Sequence, residues 1–400
     1  MELSGKHFKL RLALVITFIV IGVTAFVFGV ISLRDEDPGW YRIAVSDPAP
    51  SLGDEMVLMY RLGTGDMSVG KENDAVSKVY SDASVYMYRL FHPSETLAGT
   101  RNVASVNEGA NTVITVDAPL YEAFSLVKKY GDRSIFLAPI YLYYENLFGA
   151  ENDFVAEEYD PARSEEIAAL FREIAAFAVD PASVDITLLG ENKVMLSVSE
   201  EYLAFAEEND FSVFVDFFRL KNAFAADYIA DKLIEAGFTS GALSTGDGFS
   251  RNLDDSGIEF AVNIYDKSEE KGVLAAAQIT YSGRRSFCTM RNFFADSSDI
   301  YFYEYENGDT VTAYIDTGSG LCKSAMNSLT LYSDSRSCAE LALSASPIYI
   351  SDEPDAELLS SLSQDGIYYV YCKGGLVHYS DGKASIGVAQ TYGYSPKLDK

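Results

Sequence analysis

The chain is short of the residues that most catalytic constellations use. Its 400 residues include three histidines, four cysteines and one tryptophan. His7 stands beside an apolar run near the N-terminus, His92 ends a helical pattern, and His378 sits in a strand pattern near the C-terminus. No His-x-x-x-His or Glu-x-x-His pair occurs, which argues against a histidine-based metal centre. A P-loop, a Gly-x-Gly-x-x-Gly fingerprint and a Gly-x-Ser-x-Gly elbow are absent as well. Basic residues are scarce: 31 against 59 acids, for a formal net charge of -28. Nucleic acid is excluded as a partner by that balance, because its binding rests on neutralising phosphates. An anionic ligand would need local help from a cation or a helix end. Cys288, Cys322, Cys338 and Cys372 all fall in the last third. Their spacings fit no zinc pattern, and both disulfides and buried free thiols stay open.

Long uncharged runs are also rare, with one exception. Residues 12–33 carry no charge and are long enough to cross a bilayer. Lys6, Lys9 and Arg11 precede the run, and Asp35, Glu36 and Asp37 follow it. That asymmetry predicts a cytoplasmic N-terminus, a single-pass cell-membrane anchor and an extracytoplasmic body. The length favours a retained anchor over a cleaved signal peptide. Residues 35–54, with several prolines and acids, read as a linker.

What remains, 55–400, alternates helical and strand patterns and predicts one mixed α+β domain. A helix is expected over 74–92, where Val76, Val79, Ala83, Tyr86, Met87 and Leu90 recur at near-helical spacing. Another is expected from Asp160 as N-cap, with Pro161 in the first turn and Ile167, Leu170, Phe171 and Ile174 as its apolar stripe. Val215 to Gly237 reads as a buried strand running into a helix with a glycine stop. Beyond Gly237 the β-branched and aromatic runs predict strands, ending in a hairpin that turns at Gly374 and Gly375.

An ordered series of segments points further. "LFHPSETLAGTRNVASVNEGA" holds Ser94, Glu95 and Asn107 behind a helix, and "YGDRSIFLAPIYLYYENLF" holds Gly131 and Pro139. "DFFRLKNAFAAD", residues 216–227, begins and ends on an aspartate. "GFTSGALSTGDGF" contains Gly246 and Asp247, "SFCTMRNFF" contains Thr289, "AYIDTGSG" contains Asp316, Ser319 and Gly320, and "CAELALSASPI" contains Glu340 and Ser344. In order and in element type, this series resembles the FAD:protein FMN transferases, the ApbE-type family, over roughly residues 55–380. The 216–227 segment is similar, without gaps, to that family's Asp-Leu-Gly-Gly-Ile-x-Lys-Gly-Tyr-Ala-x-Asp joint.

The resemblance implies an ApbE-like α+β domain that moves FMN from FAD onto a Thr or Ser hydroxyl of a target flavoprotein. It implies Asp216, Asn222, Asp227 and Gly246 as FAD-binding positions, Asp316 as a catalytic one, and Glu340 with Ser344 as Mg²⁺ ligands. Hard oxygens suit that ion. FAD and a membrane or extracytoplasmic flavoprotein would be its partners. The chain also departs from the pattern. Phe218 and Arg219 replace the paired glycines, Asn222 stands at the lysine position, and Ala313 stands where a histidine belongs. Glycine lets backbone approach a phosphate, so those substitutions alter the cradle. Arg219 suggests a fixed cation that binds a pyrophosphate directly. The alternative expectation is a catalytically silent, membrane-tethered relative that binds flavin or a protein.

Overall fold

The computed structural model describes residues 37–268, 270–295, 299–380 and 382–399. The proposed anchor, 12–33, lies outside them. Among the described residues no helix is long and apolar enough to cross a membrane.

A nine-stranded sheet forms the middle layer. In spatial order its strands are Gly39–Ile43, Met56–Leu62, Gly241–Thr245, Phe249–Asn252, Arg285–Arg291, Ser328–Ser333, Tyr368–Lys373, Leu376–Ser380 and Ser395–Asp399. Every neighbouring pair is antiparallel except the last, which is parallel. Three helices, Val69–Phe91, Leu220–Glu235 and Cys338–Tyr349, pack together over part of this sheet. A second core, built on Ile264, Ile279, Phe287, Tyr332 and Val377, joins the sheet to a three-stranded one made of Glu259–Ser268, Gly272–Ser282 and Ser385–Val388. The remaining helices, including Ala138–Phe148 and Glu165–Val179, share the larger core with a small sheet of Val113–Thr115, Lys193–Val198 and Val184–Gly190. The fold is mixed α/β.

Local chemistry explains where elements begin. The final hairpin turns at Gly374 and Gly375, whose φ angles of 59° and 76° need residues without a Cβ. The first long helix starts at Val69, five residues before the expected position. The 165–179 helix does not start at Asp160. Ser164 caps it, its hydroxyl accepting from the Ile167 N–H at 3.4 Å, while Asp160 accepts from the Ala162 N–H in the turn ahead. Phe171 and Ile174 are fully buried, as its stripe requires.

The apolar stretch ahead of Leu220 is not a strand. Its backbone is satisfied by a side chain: Asn107 Oδ1 accepts from the Phe214 and Val215 N–H groups at 3.1 and 3.0 Å, and Asn107 Nδ2 donates to Val215 O at 2.9 Å. The Asp216 N–H donates to Ile135 O at 2.9 Å. Burial, rather than a ladder, accounts for the run of Val215, Phe217 and Phe218. The four cysteines are free thiols.

Candidate functional site

A cavity of about 370 Å³ opens beside the joint. It is walled by four segments from the motif series: Gly131–Ser134, Phe217–Leu220, Ala313–Thr317 and the helix positions Leu343, Ser346 and Pro347. Three of the departures from the family pattern, Phe218, Arg219 and Ala313, meet here.

Phe218 keeps a backbone suited to glycine. Its φ is 47°, in the left-handed region that costs an L-residue about 1–2 kcal/mol. Asp216 holds the turn by accepting the Phe218 N–H at 2.7 Å. The ring offsets the strain by packing. It stacks on Tyr141 at 4.3 Å between centroids and 12° between planes, and leans on Tyr301 at 5.1 Å. An aromatic stack therefore fills the space that a paired glycine would leave open.

Arg219 follows, 5% exposed, with its guanidinium over the rings of Phe249 and Tyr314 at 4.9 and 4.8 Å. It also lines a smaller neighbouring cavity with Gly246, Asp247 and Thr289. Arg219 Nη2 and Asp247 Oδ1 are both buried without a hydrogen-bond partner among the described residues. Burial raises the Asp247 carboxyl to about 6, against the pull of Arg219. Burial pushes the Cys288 thiol, beside Arg219, up to about 12, so it stays protonated at neutral pH.

Asp316 stands in the turn that leads out of Ala313. Its Oδ2 accepts from the Ser319 hydroxyl at 2.6 Å, and its N–H donates to Leu321 O. Gly320 closes this turn at φ 73°, where a Cβ would lie 2.7 Å from Ile140 Cδ1. The left-handed backbone favours glycine there, and a larger residue would also press on Ile140 and Phe171.

The other expected positions lie elsewhere. Asn222 Nδ2 donates to Glu55 Oε2 at 2.9 Å and Asp247 Oδ2 at 3.2 Å. Asp227 is taken up by architecture: it accepts from the Cys338 and Ala339 N–H groups at 2.9 Å and pairs with Arg251 at 2.6 Å. It caps a neighbouring helix across 111 residues of sequence. Glu340 closes a capping box with Ser337 and faces Arg336 at 3.1 Å and Lys129 at 3.8 Å. Ser344, one turn on, is half-buried and does not line the cavity.

The Mg²⁺ ligands implied by the resemblance, Glu340 and Ser344, thus stand outside the lining of the cavity. The Glu340 carboxylate is paired with Arg336 and, more loosely, with Lys129. Among the described residues no three His, Cys, Asp or Glu side chains converge to hold a metal ion.

Sequence reasoning missed a charge cluster on the far side of the joint. Lys221 Nζ lies 3.5 Å from Glu55 Oε1, and Asp216, Glu145 and Asp247 also act on it electrostatically. Tyr301 donates to Glu55 Oε2 at 2.8 Å. Glu145 rises to about 7, through lost hydration first and repulsion from Asp216 second. The one available signal was Lys221 itself, next to the position where the family has lysine. Nothing local marks Glu55.

No protein-family model and no curated protein matches the chain. Solved structures do. The ApbE protein from Thermotoga maritima aligns with a TM-score of 0.58 at 11% identity, over 88% of this chain and 98% of that one. A histidine-to-glycine mutant of the flavin transferase ApbE from Vibrio cholerae aligns with a TM-score of 0.53 at 12% identity, over 89% and 99%. At these identities the likeness is one of fold, and the chain has the fold of these ApbE proteins.

Proposed function

We propose that this chain uses the flavin-transferase fold to bind a flavin nucleotide and does not transfer FMN. The observation that carries the reading is the joint at Phe218 and Arg219. Its backbone keeps the glycine conformation while a stacked ring and a buried guanidinium fill the cradle. A cavity of about 370 Å³ is at the low end of small-molecule sites, roughly 300–1,000 Å³. It suits a mononucleotide-sized group better than a whole dinucleotide. Arg219 and Arg133, which share its wall with Asp132 and Asp316, supply its positive charge. In this reading the charge-free run 12–33 tethers the domain to a membrane, facing away from the cytoplasm.

The test is calorimetric titration of FMN and FAD into the full chain, with and without Mg²⁺, alongside an assay for AMP release from FAD. Saturable binding that Mg²⁺ leaves unchanged, with no AMP, is expected. Arg219→Ala should weaken it at least tenfold. Mg²⁺-dependent AMP release would establish the second reading, an active FAD:protein FMN transferase acting on an extracytoplasmic flavoprotein. The fold shared with the Vibrio cholerae flavin transferase favours that alternative. Absence of flavin binding under either condition would overturn both.

A further inference from the structure

A second cavity, of about 500 Å³, lies on the other side of Asp216. Its walls are mostly apolar and aromatic, with Leu142, Tyr143, Tyr159, Leu170 and Phe211 among them. Its charged lining is all of one sign: Glu145, Asp210 and Asp216. Among the described residues no lysine, arginine or histidine lines it. Asp216 is 8% exposed, and its Oδ1 is engaged by the Phe218 N–H. The basic groups that act on Asp216 are Lys221 and His92, neither of them in the wall, and Lys221 is shared among Glu55, Asp216, Glu145 and Asp247. One ammonium thus serves four carboxyl groups. Lost hydration raises both the Glu145 and Asp216 carboxyls, and repulsion from Asp216 and Glu55 adds to the rise at Glu145.

We propose that this cavity binds an organic cation, an ammonium group carried on an apolar or aromatic body. The carboxylates would take the ammonium and the rings its body, through area burial and cation–π contact. The site is separate from the flavin cavity, and the inference stands whether or not flavin binds.

The experiment is calorimetric titration of the full chain with phenethylammonium, n-butylammonium and, as a charge-reversed control, phenylacetate. Saturable one-to-one binding of phenethylammonium with no binding of phenylacetate is expected. Stronger binding of the aromatic amine would mark a small aryl-amine ligand. Equal binding of the butyl amine would mark a site for any alkylammonium, a lysine side chain included. Asp216→Asn preserves shape and should lower affinity at least tenfold. Glu145→Gln, closer to the surface, should lower it about threefold and serves if the first variant does not fold. Leu170→Trp, at a half-buried position of the apolar wall, should block binding. No saturable heat at millimolar phenethylammonium, equal binding of phenylacetate, or undiminished binding by the folded carboxylate variants would overturn the proposal.

Discussion

The two larger cavities beside the joint share a few residues of backbone and differ in charge. Phe217 to Leu220 face the first, whose charged lining is mixed: Arg133 and Arg219 with Asp132 and Asp316. Asp216 faces the second, whose charged lining is wholly acidic. One short turn separates a pocket of mixed charge from a wholly acidic one. The lesson is physical: at a turn, successive side chains leave in different directions, so neighbours in sequence serve different sites. In a chain with a net charge of -28, the acidic pocket follows the bulk composition, and the two arginines of the mixed wall run against it. A local exception to global charge is the stronger pointer to an anionic ligand.

The change expected to alter this contrast most is Phe218→Gly. Losing a buried ring costs about 3–5 kcal/mol, and relief of the left-handed backbone returns about 1–2. A net loss of roughly 2–3 kcal/mol should appear as a lower Tm in calorimetry. The first cavity should enlarge, read as stronger FAD binding relative to FMN. Unchanged Tm would show that the ring does not hold the wall between the pockets.

A smaller effect is expected from Asp227→Asn, within the Leu220–Glu235 helix. It weakens the cap on the Cys338–Tyr349 helix and the pair with Arg251, for about 1–2 kcal/mol. Ligand binding in either pocket should be unaffected, because Asp227 lines neither. A loss of flavin affinity with little change in Tm would return Asp227 to the binding machinery.

The smallest effect is a pH slope. Glu145 holds its proton to about 7 when folded, against an ordinary value of 4.5, and Asp247 to about 6 against 3.8. The unfolded chain releases these protons first as pH rises. Their contribution is therefore complete below the ordinary values and lost as pH rises through about 6 and 7. Tm should fall gently from pH 5 to pH 7.5 and then level. Glu145→Gln should flatten the upper part by ~1 kcal/mol or less, since water screens this carboxylate. An unchanged slope would mean that Glu145 is better solvated than the acidic pocket requires.

Much of the architecture was legible along the chain. The glycine pair at 374–375 marked a hairpin because the turn demands left-handed backbone, and the stripe at Phe171 and Ile174 marked a buried helix face. The order of motifs anticipated which turns meet, and Gly131, Arg219, Ala313 and Asp316 line one cavity. Side-chain fates were less legible. Asp160 and Ser164 are both good caps, and only the path of the turn selected Ser164. Glu340 looks the same in sequence as a metal ligand or as the third residue of a capping box, and Arg336 and Lys129 are what distinguish them. Glu55 meets Asn222 across 167 residues, a pairing with no local trace.

The sequence by itself determined what depends on neighbours in the chain: helix and strand periodicity, turn glycines, the acidic balance and the apolar run at 12–33. Tertiary structure decided what depends on approach from elsewhere. It placed Asp227 under a helix end rather than at a ligand, and Arg219 between two rings facing Asp247. It also made Phe218, a residue ill-suited to its backbone, the wall of a cavity. Local propensity opposes that conformation by about 1–2 kcal/mol. Contacts with Tyr141 and Tyr301, which no local rule foresees, outweigh it.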